Sequence, residues 1–294
     1  MRRLASIVTL TLAMLPMAAR AFSVSPAILD LSGERGQVAG STITVINTDD
    51  RDKNFYLLAV KFEPREDSSS PRFIPYAEDH AGLPEWISFA DDRVRVPAEG
   101  KLEVPVRIAV PDDAASGTSY AAVLVSDAPY DLVASQGAPI QARVAVLVFF
   151  TVEGETDARA ELLDFLPVSP AAIQENVTRT FRLRIQNQGN VVLAPAGTIV
   201  ATDVFGRVVA SADVNAEGSR VTPGLTRTFE VALVEDEMAV GPVTATLKVT
   251  YASDQPALFS SDSYWVFPWP FVIAAGFVCV MAVMLLRGAV RRRG

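Results

Sequence analysis

The side chains that could take part in catalysis are few in this chain, and their spacing argues against an enzyme. His80 is the only histidine among 294 residues, which excludes a metal site built from several histidines. A serine nucleophile would be expected on a G-x-S-x-G turn, and the sequence has no such motif. The only cysteine, Cys279, lies within an apolar run and is not available as an exposed nucleophile. We therefore predict a protein that is not an enzyme, with no catalytic residue, no metal and no cofactor.

Acidic residues occur in neighbouring pairs, and each pair adjoins a turn signal. Asp49 and Asp50 form one such pair, and Asp112 and Asp113 form another. Asp is favoured in turns because its side chain bonds to the local backbone. A glycosidase instead needs two carboxyl groups that face each other across a cleft. These pairs therefore predict turns and not a catalytic dyad.

A long connection over residues 63–84 carries the best candidates for binding. A connection of more than about 12–15 residues without its own structure is usually either functional or disordered. A cation beside an aromatic ring is suited to contact a sugar face or a peptide. We predict Arg65, Tyr76 and His80 as binding residues, with a solvated and variable loop as the alternative. Trp86 follows the loop, and its large apolar side chain predicts a place in the core.

The N-terminal end has the pattern of a secretory signal peptide. Arg2 and Arg3 precede an apolar run over residues 4–18, and Ala19-Arg20-Ala21 supplies an A-x-A cleavage site. We therefore predict a signal peptide over residues 1–21, with an uncleaved signal anchor as the alternative. The domains that follow would then function outside the cytoplasm.

The C-terminal end predicts a membrane anchor. Residues 271–286 include no charged side chain, and a helix over 265–286 is long enough for a hydrocarbon core of about 30 Å. We therefore predict a single transmembrane helix over 265–286, a basic cytoplasmic tail over 287–294 and membrane lipid as a partner. A buried core helix is the alternative. The flanks that fix the orientation are aromatic on the outer side, with Trp265 and Trp269, and basic on the cytoplasmic side, with Arg287, Arg291, Arg292 and Arg293.

Composition limits the partners of the exported region. The chain has 34 acidic and 26 basic residues, for a formal net charge of −8. Such a balance repels the phosphate backbone, so no nucleic acid is expected as a partner. The single cysteine lies in the predicted span, so the exported domains cannot form a disulfide and must be stable from their cores.

Apolar and polar residues alternate along many short segments, which predicts β-strands. In one segment Leu102, Val104, Val106 and Ile108 alternate with polar neighbours, and Pro105 on the polar face predicts an edge strand or a bulge. A polar break near residue 155 separates two series of such strands. The predicted fold is all-β, with two tandem immunoglobulin-like β-sandwiches over 22–155 and 156–262, followed by a single C-terminal transmembrane helix.

Several short segments recur in an order that resembles a known family. The first domain has Phe-Ser-Val-Ser-Pro-Ala-Ile at 22–28, Ile-Thr-Val-Ile-Asn at 43–47 and Val-Pro-Ala-Glu-Gly at 96–100. The second has Asn-Gln-Gly-Asn at 187–190 and Thr-Pro-Gly at 222–224. In order and spacing these segments resemble the WxL-interacting proteins of bacterial surfaces. The resemblance implies an N-terminal domain associated with peptidoglycan, a C-terminal domain that meets a protein partner, and a membrane anchor.

Together these features predict a non-enzymatic binding or adaptor protein of the cell surface. It would be a single-pass protein of the cell membrane, with its N-terminal domains outside the cytoplasm and its C-terminus inside. Its partners would be peptidoglycan or a surface protein. Two alternatives remain from the sequence: a periplasmic chaperone-like two-domain protein, and a structural stalk subunit of an envelope complex.

Overall fold

A computed structural model describes residues 22–65, 71–130 and 142–291 of the chain. The predicted signal peptide over 1–21 lies outside these residues and stays a prediction. The chain divides into two compact units. Unit 1 contains the described residues of 22–62, 73–114 and 119–150, and unit 2 contains those of 63–72, 115–118 and 151–291.

The first half of the chain is built almost entirely from strands. In chain order they are β1 (Phe22–Ser25), β2 (Ile28–Gly33), β3 (Val38–Asn47), β4 (Lys53–Val60), β5 (Phe62–Glu63), β6 (Arg72–Phe73), β7 (Ile87–Phe89), β8 (Arg93–Val96), β9 (Lys101–Ala109), β10 (Gly117–Ser126) and β11 (Arg143–Val152), with one short helix, α1 (Leu83–Trp86), before β7. One sheet has the order β1-β3-β9-β7 and the other β2-β11-β10-β4-β8. The alternation of β9 buries Val104, Val106 and Ile108, as the sequence pattern predicts.

Unit 2 is a second sandwich with its own core. Its strands are β12 (Ala160–Pro167), β13 (Ile173–Gln174), β14 (Thr180–Asn187), β15 (Ala196–Asp203), β16 (Val208–Val214), β17 (Thr226–Ala232), β18 (Val234–Glu235), β19 (Gly241–Thr250) and β20 (Leu258–Val266). A three-stranded sheet, β12-β14-β17, packs on a six-stranded sheet, β13-β20-β19-β15-β16-β18. The prediction of two all-β, immunoglobulin-like sandwiches is confirmed.

A buried asparagine closes an equivalent turn in each unit. The Nδ2 of Asn47 donates to the carbonyls of Arg51 and Pro97 at 2.8 and 2.9 Å. The Nδ2 of Asn187 likewise donates to the carbonyls of Val191 and Val221, at 2.7 and 2.9 Å. Each side chain donates to carbonyls of the loops beside its strand, which explains why an alternating strand ends in Asn in both halves of the sequence.

Pro105 marks the point at which one edge of β9 opens. Strand β7 pairs with β9 only from Ile87↔Ile108 to Phe89↔Val106. The N–H of Val110 donates to Gln37, so the even-numbered residues of β9 bond towards β3 and the odd-numbered ones towards β7. Pro105 therefore stands where the next bond to β7 would form, and it has no N–H to donate. The predicted edge is thus local, because β9 is otherwise an interior strand.

The C-terminal segment differs from the predicted membrane anchor. Trp265 belongs to β20 and pairs with Pro242, so helix α2 begins only at Trp269 and continues to Arg291. The indole N–H of Trp269 donates to the carboxylate of Glu175 in the same unit.

Within the described part of the chain, no helix is both long enough and apolar enough to span a membrane. The predicted transmembrane helix over 265–286 is therefore wrong, because backbone pairing in β20 takes up its first residues. The predictions of membrane lipid as a partner and of a single-pass location in the cell membrane are therefore also wrong. So are the outer-interface role of Trp265 and Trp269 and the cytoplasmic role of the tail arginines Arg287, Arg291, Arg292 and Arg293, of which the last two lie outside the described residues.

Candidate functional site

A groove on unit 1 brings aromatic and cationic side chains together. Its volume is about 610 Å³, and its walls come from β4, the start of β8, the segment 73–77 and the residues around Tyr130. Strand pairing positions the floor, because β4 places Tyr56 opposite Arg93 on β8 and opposite Ser126 on β10. The floor of the groove is therefore built on paired strands.

Tyr130 fixes one wall of this groove through its hydroxyl. The hydroxyl lies 2.8 Å from the carbonyl oxygen of Leu124 and 3.2 Å from that of Tyr56, and it can donate to either. Burial raises the pKa of Tyr130, although the positive charge of Arg143 acts in the opposite direction. The phenol therefore stays neutral at physiological pH and acts as a structural donor.

Two guanidinium groups stand over the aromatic rings at the rim. The Cζ atom of Arg93 lies 5.8 Å from the centroid of the Tyr56 ring, and that of Arg143 lies 5.4 Å from the Tyr130 ring. Each is within the range of a cation–π contact. Such a rim suits a ligand with an apolar body and a carboxylate or other anionic group, which arginine can bind through two parallel hydrogen bonds.

Of the predicted binding residues, the structure brings Tyr76 and His80 together. Their rings stack with centroids 4.2 Å apart and planes 16° apart, and Nδ1 of His80 lies 3.0 Å from the carbonyl oxygen of Tyr76. Tyr76 also lines the groove. Arg65 is exposed, belongs to unit 2, and has no hydrogen bond or ion pair with any residue in the described part of the chain. The binding role of all three stays a prediction.

Residues 73–84 of the predicted connection have more structure than the sequence suggests. Nζ of Lys61 binds the carboxylate of Asp79 at 2.5 Å, and this hydrogen bond is the main reason that the pKa of Asp79 is lowered. The N–H of Ile74 donates to the carbonyl of Lys61, the residue that follows β4. Trp86, predicted in the core, ends helix α1 and is only partly buried, whereas Leu83 takes the core position. Residues 73–77 thus form a structured wall of the groove.

Sequence reasoning missed the residues that form most of the site. Tyr56, Arg93, Tyr130 and Arg143 are far apart in the sequence, and strand pairing and the hydrogen bonds of the Tyr130 hydroxyl bring them together. The available signal was the alternation of β4, which places Tyr56 on the opposite face from the buried Phe55 and Leu57. Across the described residues, no cluster of three or more His, Cys, Asp or Glu side chains could hold a metal ion.

Beside the groove, β11 begins with an open edge. The N–H of Leu147 donates to the carbonyl of Ala27 at 2.9 Å, just before β2 begins. Because alternate residues of a strand bond to the same side, the N–H and C=O of Ala145 point to that side as well. Among the described residues no strand pairs with β11 there, before β2 begins. Arg143 is the first residue of β11, and it also lines the groove.

Comparison with known proteins gives a likeness of fold. No family model and no curated protein matches the chain. Solved structures do match: the class 5 fimbriae chaperone CfaA is 13% identical over 82% of this chain and 99% of that chain, with a TM-score of 0.43. The E. coli chaperone DraB is 12% identical over 81% and 98%, with a TM-score of 0.41. A complex of the Salmonella enterica SafA pilin with the SafB chaperone matches at 11% identity over 85% and 98%, with a TM-score of 0.37.

These matches correct the family resemblance drawn from the sequence. The three solved structures reported above are of fimbrial chaperones, and none of them is a WxL-interacting protein. The resemblance to WxL-interacting proteins is therefore wrong, and the association with peptidoglycan that it implied goes with it. Its physical cause is visible in the structure, because the Gly, Pro and Asn segments that carried it form sandwich turns, such as the turn closed by Asn187.

Proposed function

We propose that this chain is a periplasmic, chaperone-like protein of two immunoglobulin-like domains that holds an extended segment of a partner protein on unit 1. The proposal replaces the membrane-anchored adaptor, and its partner is a protein and not membrane lipid. The predicted signal peptide over 1–21 would deliver the protein to that compartment. The chemistry is binding, since the groove presents donors and cations and no nucleophile–base pair.

The observation that supports this proposal best is the open edge of β11. An extended peptide can join a sheet at such an edge through main-chain hydrogen bonds, and side-chain pockets beside the edge then give specificity. Ala145 presents the backbone groups for such pairing, and Arg143 belongs to both the edge and the groove. A partner strand on this edge would therefore lie next to a ready-made pocket.

The groove accounts for the specificity that an edge lacks. Main-chain bonds do not distinguish one sequence from another, so selection requires side-chain contacts. The rings of Tyr56, Tyr76 and Tyr130 supply apolar area, and Arg93 supplies positive charge at the rim. An apolar or aromatic residue followed by an acidic group is the pattern that this surface fits.

The test uses a proline substitution on the open edge. Ala145→Pro removes the N–H that faces the edge and leaves the bonds between β11 and β10 in place, because those are made by its neighbours. A purified, aggregation-prone pilin subunit is refolded with the full chain, and aggregation is followed by light scattering and co-elution by gel filtration. We expect the parent to suppress aggregation and co-elute with the subunit, and Ala145→Pro to lose about tenfold in affinity.

Matched variants separate the edge from general effects. Ala145→Ser keeps the N–H and should behave as the parent. Arg93→Glu should weaken binding through the groove, whereas Arg51→Glu makes the same charge change at an exposed turn of unit 1 and should not. Equal binding by Ala145→Pro and the parent would reject the β11 edge. A parent chain that neither suppresses aggregation nor co-elutes with the subunit would reject the chaperone-like function.

A further inference from the structure

Strand β17 is an edge strand of the three-stranded sheet of unit 2, and its register with β14 shows which backbone groups face outward. It pairs with β14 from Thr180↔Ala232 to Gln186↔Thr226. The N–H of Leu233 donates to Arg179, and the carbonyl of Leu225 accepts from Asn187. The odd-numbered residues of β17 therefore bond to β14.

The even-numbered residues of β17 direct their backbone groups away from β14. These residues are Thr226, Thr228, Glu230 and Ala232. Within the described ranges, no strand pairs with that side of β17. This edge has neither proline nor lysine, the residues that natural sheets use to block unwanted pairing. Every outward-facing N–H of this edge is therefore available to an added strand.

A groove of about 540 Å³ runs along this edge, between β17 and β16. Phe229 and Val231 form its apolar wall, with 9% and 7% of their surfaces exposed, and Ala212 lines the opposite side. One end is bounded by the loop after β16, where Nδ2 of Asn215 donates to the carbonyls of Pro195 and Ser219 at 2.7 and 2.9 Å. The groove is therefore preformed along the open backbone.

The charged residues that line this groove are mostly acidic. Asp213, Glu217 and Glu230 carry negative charge, and Arg227 is the positively charged residue of the lining. Arg227 is already engaged, since its Nη1 donates to the carbonyl of Arg220 at 3.1 Å and its guanidinium lies over Phe229. Asp213 and Glu230 are exposed and form no ion pair with a residue in the described part of the chain.

We propose that the open edge of β17 accepts an extended, basic segment of a partner protein as an added strand. Its backbone would pair with the even-numbered residues of β17. On one face its apolar side chains would pack on Phe229 and Val231, and on the other its lysine or arginine side chains would meet Glu230. The acidic lining selects a basic segment over an acidic one. A second copy of this chain fits less well, because it would bring the same acidic groups to the contact.

This site is separate from the proposed function of unit 1 and does not depend on it. The probe is the fluorescein-labelled peptide Lys-Val-Lys-Val-Thr-Val-Lys-Val, and its binding to the full chain is measured by fluorescence anisotropy. We expect the peptide to bind, and we expect the version with Glu in place of each Lys to bind at least about tenfold more weakly. Ala145→Pro should bind the basic peptide as the parent does, which separates this site from the β11 edge.

Two substitutions at Thr228 test the edge itself. Thr228→Pro removes an N–H that faces outward, without removing a bond to β14. It should lower the affinity for the peptide about tenfold. Thr228→Val keeps the N–H and the branched shape and should stay within about twofold of the parent. Glu230→Lys should weaken the peptide and reduce the salt dependence of its binding.

Hydrogen exchange gives a readout that does not rely on any variant folding. In the parent, the amides of Thr228 and Glu230 should exchange more slowly when the peptide is bound. Unchanged exchange at these amides, equal affinity for the basic and acidic peptides, or unaltered binding by a folded Thr228→Pro would each overturn the proposal. A dimer of the full chain that blocks the peptide would also overturn it, since a second copy would then be the occupant.

Discussion

The hydroxyl of Tyr264 links two parts of the unit 2 core through one buried hydrogen bond. Tyr264 is only 1% exposed, and its hydroxyl donates to the carbonyl of Val177 at 2.8 Å. The guanidinium of Arg179 covers its ring at 4.8 Å. Tyr264→Phe removes the donor and keeps the ring, so the substitution tests the hydrogen bond without creating a large cavity.

The expected loss of stability follows from the carbonyl of Val177, which the substitution leaves without a donor. The carbonyl of Val177 would stay buried without its donor, which typically costs about 1–3 kcal/mol in the free energy of unfolding. The apolar contacts of the ring are unchanged, so no further term of the kind seen on truncation to alanine is expected. We therefore expect Tyr264→Phe to lower the free energy of unfolding of unit 2 by about 1–3 kcal/mol.

Urea unfolding measures this difference directly. Trp265 and Trp269 report on unit 2 by fluorescence, and Trp86 contributes the same background in parent and variant. Tyr251→Phe is the matched control, because Tyr251 is partly buried and its hydroxyl has no hydrogen bond to a described residue. Equal unfolding midpoints for Tyr264→Phe, Tyr251→Phe and the parent would refute the reasoning.

The same substitution has a pH signature with a definite sign. Burial raises the pKa of Tyr264 from 10.0 to about 12, although the nearby guanidinium of Arg179 acts to lower it. A raised pKa favours the protonated form in the folded state, so its contribution is complete below pH 10 and is lost as the pH rises towards 12. The stability gap between the parent and Tyr264→Phe should therefore narrow over this range. A gap that stays constant or widens would contradict the assignment.

Four further substitutions test other parts of the structure. Asn187→Ala should cost about 1–3 kcal/mol in urea unfolding, because it removes a donor to the carbonyls of Val191 and Val221 and the acceptor for the N–H of Gly189. Burial acts to raise the pKa of Asp203, but the hydrogen bonds of its turn outweigh burial and lower that pKa. Asp203→Asn should therefore reduce the melting temperature at neutral pH. This reduction should shrink as the pH falls through the pKa of Asp203 in the folded state. The double variant Tyr76→Ala with Arg65→Ala should weaken partner binding in the co-elution assay and leave the melting temperature nearly unchanged. Trp86→Ala should cost less in urea unfolding than the about 3–5 kcal/mol of a fully buried tryptophan, since Trp86 is only partly buried.

Local patterns predicted the strands well, because a sandwich strand is defined by its own alternation. In β14 the residues Phe181, Leu183 and Ile185 are fully buried, and their polar neighbours are not. The asparagine that ends β14 was also visible in the sequence, since its turn is local. The C-terminal error has the same origin. β20 shows little apolar alternation before Tyr264, so its final residues were counted with the apolar run that follows.

The candidate site could not be predicted in the same way, because it depends on contacts between distant segments. The pairing of Tyr56 with Arg93 requires the register of β4 with β8, which no local pattern encodes. The bond from Lys61 to Asp79 is also non-local, and it gives order to a segment that composition describes as a loop. Tyr76 was found because it lies in that segment, whereas Tyr130 and Arg143 carry no local signal of their own.

The open edges of β9, β11 and β17 differ in whether their residues block pairing with another strand. Where β7 ends, the exposed side of β9 presents Pro105, which has no N–H to donate to an added strand. The open parts of β11 and β17 have no proline, and each lies beside a groove. An edge without such protection risks unwanted pairing with other strands. This protein blocks one edge and leaves others open beside preformed grooves, and binding of partners at the open edges best explains this difference. Lysine or proline placed on the open edge of β17 should therefore cost binding and not stability, while Pro105→Val should increase self-association measured by light scattering.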